Sequence, residues 1–240
     1  MTMVDTDPPV ATHTEPSVDP DRRPWSRHRR ELGDHVARTV SVLQAQVLRT
    51  VPHPEAVSAL ARLRRGIGRA PGFDFTLERY LQVPEHLLGY QPPEDATDAE
   101  YAVHDAVTLY ALHQQSRREP MHADGRGLGR ALSDLVRRSA GPEGVRRRFA
   151  ALGTASTYHE SVYHLRSLVT MLREHQVSLD YGLLADDLLT LRGPDGQSRV
   201  QAIWGREFFR SGAGAETDPA STDTAATDTA ASDTPEEDLS

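Results

Sequence analysis

The chain has 240 residues, with 35 acids against 27 bases, a formal net charge of −8 at pH 7 and no cysteine. Lacking thiols, it has neither disulfides nor thiolate metal sites, and no apolar run approaches the length of a membrane span. The charge is segregated: residues 1–21 hold five acids and residues 212–240 eight, with no base in either, so 27 arginines and no lysine face 22 acids in residues 22–211 and leave that section at about +5.

Residues 1–21 are Pro-rich and acidic, without the basic start or apolar run of a signal peptide, and are expected to be disordered. Together with the absence of cysteine this fits a cytoplasmic protein. The first predicted helix spans 25–49, where Leu32, Val36, Leu43 and Val47 recur on one face. Pro54 at a first-turn position opens a second, running to about Gly66. Phe73–Phe75 is a candidate strand fragment. Thr97-x-x-Glu100 is a capping box ahead of an apolar-rich helix over 98–118. The stretch EPMHADGRG then breaks the pattern and is the candidate domain junction. Helices follow at 127–139, at 142–152 behind Gly141-Pro142, at 157–175 behind the capping box Thr157-x-x-Glu160, at 181–191 and at 197–210. Residues 212–240 repeat Asp218, Asp223, Asp228 and Asp233 every five residues, a period of neither helix nor strand, and are expected to be disordered. The expected architecture is all-α: about eight to nine helices in two small bundles, 22–121 and 122–211, flanked by acidic extensions 1–21 and 212–240.

Arginines cluster opposite the apolar stripes. In RLRRGIGR (62–69), helix geometry sets Arg62, Arg65 and Arg69 against the face of Val57, Leu60, Leu63 and Ile67, while Arg64 projects from the apolar flank and must snorkel or meet a buried acceptor. On 127–139, Leu128, Leu132, Leu135 and Val136 face inwards and Arg130, Ser133 and Arg137 outwards, with Arg130 and Asp134 spaced for an i,i+4 pair. On 142–152, Arg147 points away from Val145, Phe149 and Leu152, and Arg146 and Arg148 flank that edge. On 157–175 the outer row is His159, Tyr163, Arg166, Thr170 and Arg173. Guanidinium, hydroxyl and aromatic groups in one row suit phosphate contact and base stacking.

Enzyme motifs are weak. His104-Asp105 raises an HD-type metal-dependent phosphohydrolase, with His53, His86, His113 or Asp187 as further ligands, but His104 shares the polar side of its helix with Thr108 and Gln115. His159 and His164, five apart, form no i,i+4 clamp, and His164 reads as a packed residue at the core edge. Asp186-Asp187 reads as a solvated face. Gly66-Ile-Gly68 and Gly125-Arg-Gly127 read as caps and turns. No catalytic, metal or cofactor site emerges.

Seven ordered blocks, ALARLRRG (59–66), LYALHQ (109–114), GLGRAL (127–132), VRRRFAAL (145–152), YHLRSLVTML (163–172), LDYGLLADDLL (179–189) and WGREFF (204–209), resemble the CasB family, small subunits of the type I-E CRISPR effector complex Cascade. The resemblance covers roughly residues 25–210. It implies an all-helical, two-domain, non-catalytic subunit present as a pair beside the backbone and large subunits, contacting the crRNA–target heteroduplex and the displaced non-target DNA strand. The family's basic positions fall on Arg64, Arg65, Arg130, Arg147, Arg148 and Arg166; helix geometry chooses Arg62, Arg65, Arg130, Arg147, Arg166 and Arg173. Arg65, Arg130, Arg147 and Arg166 belong to both sets. The acidic tail, absent from the family pattern, is expected to compete with nucleic acid for the basic surface or simply to aid solubility.

Overall fold

The computed structural model describes residues 27–88 and 94–213, all helix and loop apart from one isolated bridge between His122 and Leu179. Ten α-helices run in order: α1 (Glu31–Val47), α2 (Pro54–Leu63), α3 (Glu78–Leu81), α4 (Glu85–Leu88), α5 (Asp98–His113), α6 (Leu128–Arg138), α7 (Pro142–Gly153), α8 (Tyr158–Glu174), α9 (Tyr181–Arg192) and α10 (Gly196–Phe208). Arg64–Gly66 and Phe75–Leu77 are 3₁₀ turns, and Phe209–Ala213 closes α10 with a π-turn. The acidic extensions lie outside the described residues, apart from the last residues of that π-turn.

Local signals set most helix starts. Thr97 accepts from the Glu100 N–H while Glu100 accepts from the Thr97 N–H at 2.6 Å, a complete capping box. At α8 only half of the motif forms: Thr157 caps Glu160, but the Glu160 carboxylate turns to the Ser156 N–H and hydroxyl. Expected boundaries shift where the chain is pinned. Residues 27–30 are not helical, because Arg27, Arg29 and Arg30 are bonded instead to α10, to α9 and to its cap Asp180. The helix expected to reach 118 stops at His113, where Gln114 leads into a turn with Ser116 at φ 58°. Phe73–Phe75 forms no strand; Asp74 instead caps the 3₁₀ turn that follows.

α5 is the central element, packed by α1, α2, α8 and α9. Twelve of its sixteen residues are buried, including His104, Asp105, Thr108 and His113. A helix covered on every side has no polar face, so the placement of His104 and Thr108 on one is corrected. α1 lies against α9 at a crossing that requires glycine on both sides: a Cβ on Gly33 would come within 2.7 Å of the Gly182 carbonyl, and one on Gly182 would strike the Gly33 carbonyl. α6 packs on α10 and α7, and α7 on α8. Buried apolar residues from α1 to α10 form one continuous cluster. The segment between α5 and α6 is tied to both neighbours: Gln44 of α1 brackets the His122 backbone with bonds of 3.1 and 2.8 Å, and the Leu179 N–H donates to the Met121 carbonyl at 3.0 Å.

Three N-terminal arginines are consumed by this framework. Arg27 forms a fork with Asp187 and reaches Glu207 at 3.3 Å, while Asp187 also accepts from the Trp204 indole at 2.7 Å. Arg29 holds Asp180, whose carboxylate caps α9 through the Gly182 and Leu183 N–H groups. Asp186 accepts from the backbone N–H groups of Arg30 and Gly33, at 2.6 and 3.0 Å. Asp186 and Asp187 are therefore buried anchors, not the solvated face read from their sequence. Burial pushes the carboxyls of Asp186, Asp187 and Glu207 above the usual range, opposed by the bonds they accept. Val57, placed on the apolar side of α2, is instead half-exposed.

Candidate nucleic-acid interface

Side-chain placement divides the eight sequence-predicted arginines. Arg62 is engaged: its guanidinium grips Asp74 through two nitrogens at 3.0 and 2.7 Å, both groups partly buried. Arg130 projects from α6 and has no partner among the described residues. The expected Arg130–Asp134 pair does not form, because Asp134 is held by Arg126 and Arg137. Among the described residues no contact links Arg130 to the arginines of α7 and α8.

The other six gather around α8. Its outward row is as expected, with His159, Tyr163 and Arg166 exposed and Thr170 and Arg173 partly so. On one flank, Arg64 and Arg65 follow α2. Arg64 is half-buried with no acceptor among the described residues; burial and the neighbouring cations Arg173 and Arg65 lower its pKa. Its charge is thus repelled by Arg173, the arrangement an anion relieves. On the other flank, Arg148 of α7 donates to the Ser167 hydroxyl at 3.2 Å and to the Gly144 carbonyl, and Arg147 beside it is exposed. Arg173 donates to the Gln115 side chain at 3.1 Å. Such neutral acceptors orient a guanidinium without cancelling its charge. Arg64, Arg65, Arg147 and Arg166 pair with no carboxylate among the described residues. Arg64 near Arg173 and Arg148 on Ser167 tie the two flanks to α8, and the outward row of α8 with these flanks is the candidate strip.

Sequence reasoning missed Arg117 and left Arg69 out of its final set. Arg117 and Arg173 are both close enough to the buried His113 to disfavour its protonated form. The position of Arg117 depends on α5 ending early, which no helical wheel over 98–118 can express. Arg69 lies with His159 around a cavity at the N-terminal end of α8.

Among the described residues, several side chains of the enzyme motifs have separate partners. The His104 Nδ1 meets Asp105 at 3.1 Å, and the Tyr158 hydroxyl donates to the other Asp105 oxygen at 2.7 Å. His113 meets the Tyr181 hydroxyl, His86 pairs with Glu31, and Asp187 serves Arg27. His164, partly buried, lies 3.7 Å from Glu160. Among the described residues no three His, Asp or Glu side chains could hold a metal together, and no helix is long and apolar enough to cross a membrane.

Comparison with known proteins adds four findings. The model of the family described as CRISPR-associated protein Cse2 matches residues 59–209. The CRISPR-associated protein Cse2 of Thermus thermophilus is 31% identical over 160 residues, 66% of this chain and 83% of that protein. The crystal structure of CasB from Thermobifida fusca superimposes with a TM-score of 0.62 at 40% identity, over 75% of this chain and 99% of that one. A chain of a CRISPR RNA-guided surveillance complex shares the fold at 22% identity, with a TM-score of 0.58 over 75% and 94% of the two chains. The all-helical chain therefore belongs to the CRISPR-associated Cse2 family, the family of CasB.

Proposed function

We propose that the protein is a non-catalytic small subunit of a type I-E Cascade complex, present as a pair beside the backbone and large subunits. Its α8-centred strip tracks the sugar–phosphate backbone of the crRNA–target heteroduplex and of the displaced non-target strand. The observation that carries this reading is a contrast between two sets of arginines. Arg27, Arg29 and Arg62 are locked to carboxylates, whereas Arg64, Arg65, Arg147 and Arg166 stand on adjoining elements with none. Arginine suits the task, since its planar fork matches phosphate oxygens, and a subunit that leaves sequence reading to base pairing needs only backbone contacts. Arg130, on α6, is assigned to a separate contact of the same kind.

The test is the salt dependence of target binding by the assembled complex. Each single-strand phosphate contact contributes about −0.7 to the slope of log K against log[salt]. Arg65→Ala/Arg147→Ala/Arg166→Ala is expected to make the slope shallower by about 2 and to weaken binding alike for all matched targets. An unchanged slope, in a variant that melts and assembles as the parent does, overturns the assignment.

A further inference from the structure

Where the strip meets the first turn of α8, a cavity of about 420 Å³ opens between α5, α8, the end of α9 and the turn at Gly68–Ala70. That volume falls within the range of small-molecule sites, roughly 300–1,000 Å³. One wall is built around Arg192. Its Nε donates to Asp98 at 2.6 Å, and its guanidinium lies over the Tyr101 ring at 4.1 Å and the Tyr158 ring at 4.7 Å. Tyr158 is in turn set by its bond to Asp105. The flat cation and the two rings are thus held before any ligand arrives. Val162 adds apolar surface, and the exposed Arg69 and His159 stand at the rim.

We propose that this cavity binds a single nucleotide unit, a base with its phosphate. Aromatic rings and a stacked guanidinium are the surfaces on which any base packs, and a preformed wall avoids the ordering cost of assembling one. Arg69 at the rim supplies the charge for the phosphate. Asp105 adds a preference. Its two oxygens each accept one bond, which leaves lone pairs for an exocyclic amino group, so adenine, cytosine and guanine fit better than uracil or thymine. The unit has two sources: a free mononucleotide, or an unpaired base of a strand lying along α8. The second source rests on the function proposed above; the first does not.

The experiment titrates the full chain with AMP, CMP, UMP and ribose 5-phosphate and follows amide NMR shifts. Saturating shifts at Ala70, Tyr101 and Val162 are expected with AMP and CMP, weaker ones with UMP and none there with ribose 5-phosphate. Tyr101→Leu, which keeps apolar bulk but removes the ring, is expected to weaken AMP binding about fivefold or more. Equal shifts with ribose 5-phosphate and AMP, or binding untouched by Tyr101→Leu, overturn the proposal, as does the absence of cavity shifts with every nucleotide. A parallel arm compares oligonucleotides with and without one abasic position. Weaker binding of the abasic strand, lost in Tyr101→Leu, identifies the strand as the source; no difference, with AMP binding intact, identifies free nucleotide. Failure of strand binding altogether counts against the strip and leaves the mononucleotide arm standing.

Discussion

Arg27→Met removes one charge and nearly preserves side-chain length, leaving two carboxylates without their cation. The Arg27 side chain is 12% exposed, Asp187 2% and Glu207 6%. Breaking a buried pair by deleting one partner costs about 3–5 kcal/mol, mostly through the stranded charge. For a folded section of this size each 1 kcal/mol lowers Tm by roughly 2–4 °C, so a fall of about 6–20 °C is expected at pH 7. The deficit has a pH signature. Burial already raises the pKa of Asp187 and Glu207, and loss of Arg27 raises both further. Both carboxyls then bind protons in the folded variant at pH values where the unfolded chain has lost them, so the variant's deficit shrinks as pH falls from 7 towards 5. Urea denaturation followed by circular dichroism at several pH values measures this. Adding Asp187→Asn and Glu207→Gln is expected to recover most of the loss, since both amides can still accept a bond. A loss under about 1 kcal/mol, or one indifferent to pH and unrelieved by the amides, would refute the view that this cluster is held by charge neutralisation.

Two further outcomes follow from the packing. A Cβ on Gly129 would strike the Trp204 carbonyl and come within 2.6 Å of the Glu207 Cβ and 2.8 Å of the Phe208 nitrogen, so Gly129→Ala is expected to cost about 3 kcal/mol or more. Gly205→Ala, which meets nothing within 4 Å, is expected to stabilise α10 by up to about 1 kcal/mol in the same denaturation assay. Burial drives the pKa of His113 from 6.5 down to about 3. The folded protein therefore refuses a proton that the unfolded chain accepts: the stability contribution is complete above pH 6.5 and drains away as pH falls towards 3. Denaturation at pH 7 and pH 4 is expected to show about 3 kcal/mol lost from this group, at about 1.36 kcal/mol per pKa unit, and His113→Asn is expected to flatten that dependence.

The order of the helices was legible because capping and amphipathic spacing are written in a few consecutive residues. Thr97 with Glu100 announces α5, Pro142 announces α7, and the outward row of α8 follows from 100° steps alone. The same arithmetic misplaced His104, Asp186 and Asp187. It assumes that every helix keeps one face in water, and α5 and the first two turns of α9 keep none. It also could not tell which outward arginines meet a carboxylate. Asp74, twelve residues from Arg62, and Asp187, 160 residues from Arg27, decide which of them are tied down.

The sequence alone determined an all-helical chain, the order of its longer helices though not the one-turn α3 and α4, the segregation of acid into the two ends and the outward direction of the α8 row. Only the tertiary structure decided which arginines meet a carboxylate, that Arg64 lies near Arg173 and Arg148 reaches Ser167 of α8, and that a cavity opens beside α8. Helix formation is governed by hydrogen bonds and spacing within one or two turns. Whether a charged group is solvated, neutralised or left waiting for an anion depends on what distant segments bring against it.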